Sequence, residues 1–213
     1  MAYDHRIVTS AHRPLTYGLD IETDTTVDGL DPSVAAVVAV AVVGRDLEVV
    51  LDGDEASLLR GLDELMADLA PGVVVTWNGA AFDLPFLADR ARCRGIGLGL
   101  ELRHDPTIPR RDPWPARPGA YRASWYGHRH LDGYQLYRAD VGVALGLSCG
   151  LKPLSRLVGL PVVEVDREHI HLLDDPTRRA YVASDARLAR LLVERRWNTA
   201  RRAIDRLDQP IAT

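Results

Sequence analysis

Apolar and polar positions along this chain switch between unbroken or alternating runs and a helical period, and each switch predicts an element. Leu15 to Ile21 reads as a buried strand. Val34 to Val43 reads as a second, β-branched strand after the turn-forming run Asp28-Gly29-Leu30-Asp31-Pro32. Leu47 to Leu51 is expected to pair with it through a turn at Gly44-Arg45-Asp46. From Asp54 the spacing turns helical, and Leu58, Leu59, Leu62, Leu65, Met66 and Leu69 form an apolar stripe that stops at Pro71-Gly72. Val73 to Trp77 is a continuous apolar run, as in a central strand covered on both faces, and a second helix is predicted from Asp83 to Cys93. This order implies an α/β architecture, a mixed sheet flanked by helices.

Residues 101–131 break the pattern. They carry five prolines, two tryptophans, two tyrosines and six arginines with little periodicity, and they read as a long irregular excursion. Helical spacing returns at Gly133 to Leu145 and at Lys152 to Val158. A long terminal helix is predicted to open at Asp174-Asp175-Pro176, an acidic cap before a first-turn proline, and to continue to Leu207.

Composition narrows the class. At 213 residues the chain can bury roughly 70% of its unfolded surface, so one domain over residues 1–213 is expected, with no need of metal clips or disulfides. Cys93 and Cys149 have no metal-type spacing and suggest no disulfide framework. No apolar stretch approaches the ~20 residues of a membrane span, and Met1 to Arg13 lacks the pattern of a secretory signal, so a cytoplasmic location is expected. The formal charge of −4 argues against nucleic-acid affinity by overall field, which directs attention to local patches. Lys152 alone among the 26 Lys and Arg residues is lysine, a bias that looks like GC-rich codon usage rather than mechanism.

Three acidic places could carry chemistry. In Asp20-Ile21-Glu22 at the end of the first strand, period-2 alternation puts both carboxylates on one face and Ile21 on the other. Such a pair equally marks a strand end before a turn. Asp83, with Asn78 and Phe82 before it, follows the buried strand where open α/β sheets place ligands, though an aspartate there also serves as a helix cap. Tyr181 and Asp185 lie one turn apart on one face of the terminal helix, a pairing also met in plain packing. A hard divalent cation that prefers oxygen ligands gives all three segments a common reason.

Together these segments resemble the three motifs of the DnaQ-like, or DEDD, 3′-to-5′ exonucleases. The motifs are Asp20-Ile21-Glu22-Thr23, then Trp77-Asn78 through Phe82-Asp83, then Tyr181 through Asp185. Tyr-x-x-x-Asp resembles the tyrosine subclass; the histidine subclass would need histidine where Ala180 stands. Asn-x-x-x-Phe-Asp-x-Pro-Phe-Leu at 78–87, with the leucine- and glycine-rich stretch Leu151 to Leu160, is most similar to the proofreading domains of family B DNA polymerases. The resemblance spans about residues 15–195 and implies an RNase H-like fold.

It also implies that Asp20, Glu22, Asp83 and Asp185 hold two divalent cations, Mg²⁺ or Mn²⁺, with Tyr181 positioning the attacking water. A phenol with an ordinary pKa of ~10 is a poor base, which favours an orienting role. Thr23, Asn78 and Phe82 are expected to hold the terminal nucleotide, Phe82 by stacking or apolar contact. The implied activity is hydrolysis of single-stranded DNA or RNA from the 3′ end to nucleoside monophosphates, by a stand-alone nuclease or one recruited by replication or repair proteins. In the excursion, arginines alternate with aromatic rings, so Arg110, Arg111 and Arg117 are candidates to guide single strands. Asp132 reads as the cap of the helix at 133, and His169 and His171 as surface or core residues. The rival readings are a superfamily ribonuclease and a nucleic-acid-binding module without catalysis, which would be expected to have lost a carboxylate.

Overall fold

The computed structural model describes residues 13–108 and 119–207. Seven strands form one mixed sheet: β1 (Leu15–Thr23), β2 (Val37–Val43), β3 (Glu48–Asp52), β4 (Gly72–Thr76), β5 (Leu100–Asp105), β6 (Ala120–Trp125) and β7 (His128–Asp132). Their spatial order is β3-β2-β1-β4-β7-β6-β5. β1 runs antiparallel to β2 and parallel to β4, β4 is parallel to β7, and β7, β6 and β5 continue as antiparallel neighbours.

The helices are α1 (Glu55–Asp68), α2 (Asp83–Cys93), α3 (Gly133–Tyr137), α4 (Val143–Leu145), α5 (Leu151–Leu157), α6 (Asp175–Arg195) and α7 (Trp197–Leu207). A π turn, Arg138–Gly142, joins α3 to α4. The side chains of β1 and β2 alternate as a two-faced sheet requires. Tyr17, Leu19, Ile21, Val40 and Val42 pack with the apolar stripes of α1 and α2. On the opposite face Ala39, Ala41 and Val43 meet Val182, Ala183 and Ala186 of α6. Farther along, Val73, Val75 and Leu131 meet Leu188, Leu192 and Val193.

The sequence-based boundaries hold for α1, for β4 and for α2, and they need correction in three places. Residues 101–131 are not an irregular excursion: β5, β6 and β7 lie within or overlap them and extend the sheet, and only 109–118 fall outside the described residues. β5 alternates half-buried Leu100 and Leu102 with Glu101 and Arg103, and its register pairs Arg103 with Arg122 and His104 with Tyr121. A strand covered on one side normally alternates apolar and polar residues, but here His104 and Tyr121 stand on the same face as Leu100 and Leu102 and blur that period.

The second strand begins at Val37 rather than Val34, where the Glu55 carboxylate accepts the Val37 N–H. Glu55 is buried and also holds Arg90 and Arg94, so one ion-paired cluster ties the start of β2 to α1 and α2. The terminal helix does open at the Asp174 cap, whose side chain accepts the Thr177 N–H, but it breaks at Arg196. α7 then turns its apolar side, Ala200 and Ile204, onto the core.

Candidate active site

The carboxylates converge through three local devices. On β1, Tyr17, Leu19 and Ile21 occupy one core, so Gly18, Asp20 and Glu22 face α6. At Gly18 a β-carbon would stand 1.9 Å from the Ala186 carbonyl oxygen, an overlap no side chain could accommodate. Glycine therefore lets the backbone of α6 lie directly on β1, which brings Asp185 over Asp20. Asp83 arrives from the end of β4 by a tight loop. Asn78 there adopts the left-handed region at φ 72°, which asparagine tolerates better than most residues, and its carbonyl accepts the N–H groups of Ala81 and Phe82. A side chain at Gly79 would strike Thr76 at 2.3 Å. Asp83 itself is buried and is not the helix cap, since that position belongs to Phe82.

Asp132 fastens this loop. It caps α3 by accepting the Tyr134 and Gln135 N–H groups, as its sequence position suggests, and it also accepts the N–H groups of Asn78 at 3.0 Å and Ala80 at 3.1 Å. Burial nonetheless pushes its carboxyl up to about 6, against those four donors.

Asp20 carries the electrostatic signature of the site. Its carboxyl is held well above the ordinary carboxylate range by loss of solvent first, then by the negative charges of Asp185, Asp83 and Glu22, while Lys152 pulls the other way. The three segments, distant in sequence, therefore share one pocket of negative potential. Tyr181 and Asp185 are both buried on the inward face of α6.

Lys152 is a neighbour of these acids that sequence reasoning missed. Its ammonium pairs with Asp185, donates to the Val163 carbonyl at 2.8 Å and stands 4.3 Å from the centre of the Tyr181 ring. The signal was present: the one cation of the chain not written as arginine is the one placed among the acids. Lysine offers a compact point charge where a planar guanidinium would not fit the same role.

The other expected contacts are distributed unevenly. Asn78 and Phe82 lie on the loop before Asp83, with Phe82 tilted against Phe86 at 5.3 Å and partly packed on the core. The Thr23 hydroxyl is turned inward and donates to the Gly29 carbonyl at 2.6 Å, so it braces the following loop. Arg110, Arg111 and Arg117 lie outside the described residues. His169 pairs with Asp166 and His171 bonds to Thr25. Neither Cys93 nor Cys149 forms a disulfide. Among the described residues no group of three or more His, Cys, Asp or Glu side chains is placed so as to hold a metal ion. The chemistry of the side chains nonetheless suits hard cations: the charges of Asp185, Asp83 and Glu22 all bear on Asp20 and only Lys152 opposes them, an excess of negative charge that divalent ions would offset.

Comparison with known proteins decides the family. Residues 30–145, over half the chain, match the exonuclease domain of DNA polymerase family B. The chain belongs to this family. The family B exonuclease domain seen here is 32% identical over 116 residues to a catalytic subunit of DNA polymerase epsilon from Eremothecium gossypii, covering 54% of this chain and 5% of that protein. It is 34% identical over 139 residues to a DNA polymerase epsilon catalytic subunit from Arabidopsis thaliana, covering 62% of this chain and 6% of that one. The chain thus spans about one-twentieth of the length of these curated relatives. A family B DNA polymerase from the hyperthermophilic archaeon Pyrobaculum calidifontis has the same fold, with a TM-score of 0.65 at 22% identity over 85% of this chain and 24% of that one.

Proposed function

We propose that this domain is a 3′-to-5′ exonuclease that removes nucleoside monophosphates from single-stranded DNA. The observation that supports the reading most is the close approach of α6 to β1 at Gly18, which sets Asp185 beside Asp20, together with the charges of Asp185, Asp83 and Glu22 that all raise the Asp20 carboxyl. These four residues would hold two divalent cations, Mg²⁺ or Mn²⁺. When bound, such ions supply the charge that activates a water and stabilises the departing 3′ oxygen.

The chain's own groups supply the rest. Tyr181 is fixed by burial on the same helical face as Asp185, which suits a phenol that orients a nucleophile rather than one that takes its proton. Lys152 holds Asp185 in place and supplies positive charge while the ions are absent. Asn78 and Phe82 sit at the mouth of the Asp83 loop, where an amide and a ring can receive the terminal nucleotide, and Thr23 keeps the neighbouring loop in register. DNA is favoured over RNA because the relatives are DNA polymerase subunits, and action beside replication or repair proteins belongs to the same reading.

The test uses 5′-labelled single strands of matched DNA and RNA sequence with Mg²⁺ or Mn²⁺. Progressive shortening of the DNA, absent with a blocked 3′ end or with chelator, is the expected result, and Asp20→Ala or Asp185→Ala should abolish it while leaving the circular dichroism spectrum intact. Normal rates in either variant would overturn the assignment. Faster loss of the RNA strand would favour the ribonuclease.

A further inference from the structure

A cleft of about 210 Å³ lies beside the π turn, lined by Tyr134, Arg138, Val143, Leu147, Ser148 and Cys149. Its floor depends on a glycine. A β-carbon at Gly142 would come within 2.5 Å of the Cys149 sulfur, so only glycine lets the π turn close against the Leu147–Cys149 segment. π turns insert a residue into a helix and are frequent at functional sites.

Arg138 sets this cleft apart from ordinary surface. Its Nη1 is shut off from solvent with no acceptor, and its side chain makes no ion pair or hydrogen bond among the described residues. Arg178, Arg190 and Arg196 also bury an unpaired Nε, but each places another nitrogen on a carboxylate. The nearest acid in sequence, Asp140, is already taken by Arg196. Arg138 is half-buried rather than sealed, and an anion in the cleft that it lines would give its guanidinium the acceptor that the protein does not.

Short stretches of chain connect the cleft to the candidate active site. The Cys149 carbonyl accepts the Trp77 indole N–H at 2.9 Å, immediately before Asn78. Three residues beyond Cys149, Lys152 reaches Asp185, a separation that the chain spans in at most about 11 Å. Tyr134 follows Asp132, which holds the Asn78 loop.

We propose that Arg138 and this cleft bind a backbone phosphodiester of the nucleic-acid strand, upstream of the 3′ end held at the carboxylates. A guanidinium suits the bidentate geometry of phosphate, the Ser148 hydroxyl adds a donor, and the apolar sides of Val143 and Leu147 accept sugar or base. The proposal rests on the exonuclease reading and extends it from the cleaved bond to the strand behind it.

Fluorescence anisotropy of the whole chain with a 5′-fluorescein hexathymidylate, in chelator so that nothing is cleaved, tests it. Arg138→Gln should weaken binding about tenfold and lower the slope of log affinity against log salt by about 0.7, the loss of one phosphate contact on a single strand. Arg138→Lys should restore part of the affinity. Thymidine 5′-monophosphate, which has no upstream phosphodiester, should bind wild type and Arg138→Gln equally. In the absence of oligonucleotide the variant should melt no lower than wild type, because no protein contact is removed. Unchanged affinity and slope, a matching loss for the monophosphate, a lowered melting temperature or no binding by wild type would each overturn the proposal. Cleavage by wild type with Mn²⁺, run alongside, reads the exonuclease assignment separately: strand binding that depends on Arg138 without cleavage would refute that assignment and leave the anion site standing.

Discussion

At the scale of single residues, the site is a problem in charge. Lys152 is the ammonium that the structure places against Asp185, so Lys152→Met should leave a buried acid without its partner and destabilise the ion-free protein by about 3 kcal/mol, measured by urea unfolding. Added Mn²⁺ should recover more stability in that variant than in wild type. If the variant unfolds at the wild-type urea midpoint, the pairing is incidental. His130 gives a separate pH signature. Loss of solvent pushes its imidazole down to about 3, and it bonds to the Thr76 hydroxyl at 2.8 Å. The folded protein therefore binds its proton less readily than the unfolded chain does. Its contribution to stability is fully present above the ordinary value near 6.5 and is lost as pH falls from there toward 3, a change on the order of 5 kcal/mol. His130→Gln should flatten unfolding free energy against pH across that window, and an unaltered slope would show that other groups govern acid unfolding.

Between elements, the decisive contact is β1 against α6. Gly18→Ala would drive a β-carbon into the Ala186 carbonyl, and because both partners are backbone, neither can move aside alone. The expected cost is about 3 kcal/mol or more, visible as a lower melting temperature, together with loss of cleavage as Asp185 is lifted from Asp20. A variant that melts and cleaves normally would show that the helix can shift. The same scale explains what could be read along the chain and what could not. α1 and α2 were legible because their stripes face one core and their ends carry a cap or a Pro-Gly stop. β5 and β6 were not, because His104 and Tyr121 share the face of Leu100 and Leu102 and dilute the alternation, and strand pairing is a relation between distant segments. The break at Arg196 was hidden for a related reason: both α6 and α7 are good helical sequence, and only the direction of the core forces the turn between them.

For the molecule as a whole, ion binding and folding should be linked. Divalent ions that bind the folded state alone stabilise it by about 2.7 kcal/mol at one hundred times their dissociation constant. Mn²⁺ should therefore raise the melting temperature of wild type and chelator should reverse the rise. Asp20→Ala and Asp185→Ala should show little of it, and a full shift in those variants would place the ions elsewhere. The order of helices and of the first four strands, the chemistry of the three acidic segments and the family itself were written in the linear chain, because apolar period, turn residues and motif spacing are local quantities. The seven-stranded extent of the sheet, the two-donor grip of Asp132 on the Asn78 loop, the entry of Lys152 among the acids and the unpaired guanidinium of Arg138 were settled only by folding. Each depends on which remote groups share a space poor in water, where a charge or a donor acquires its cost and its partner together.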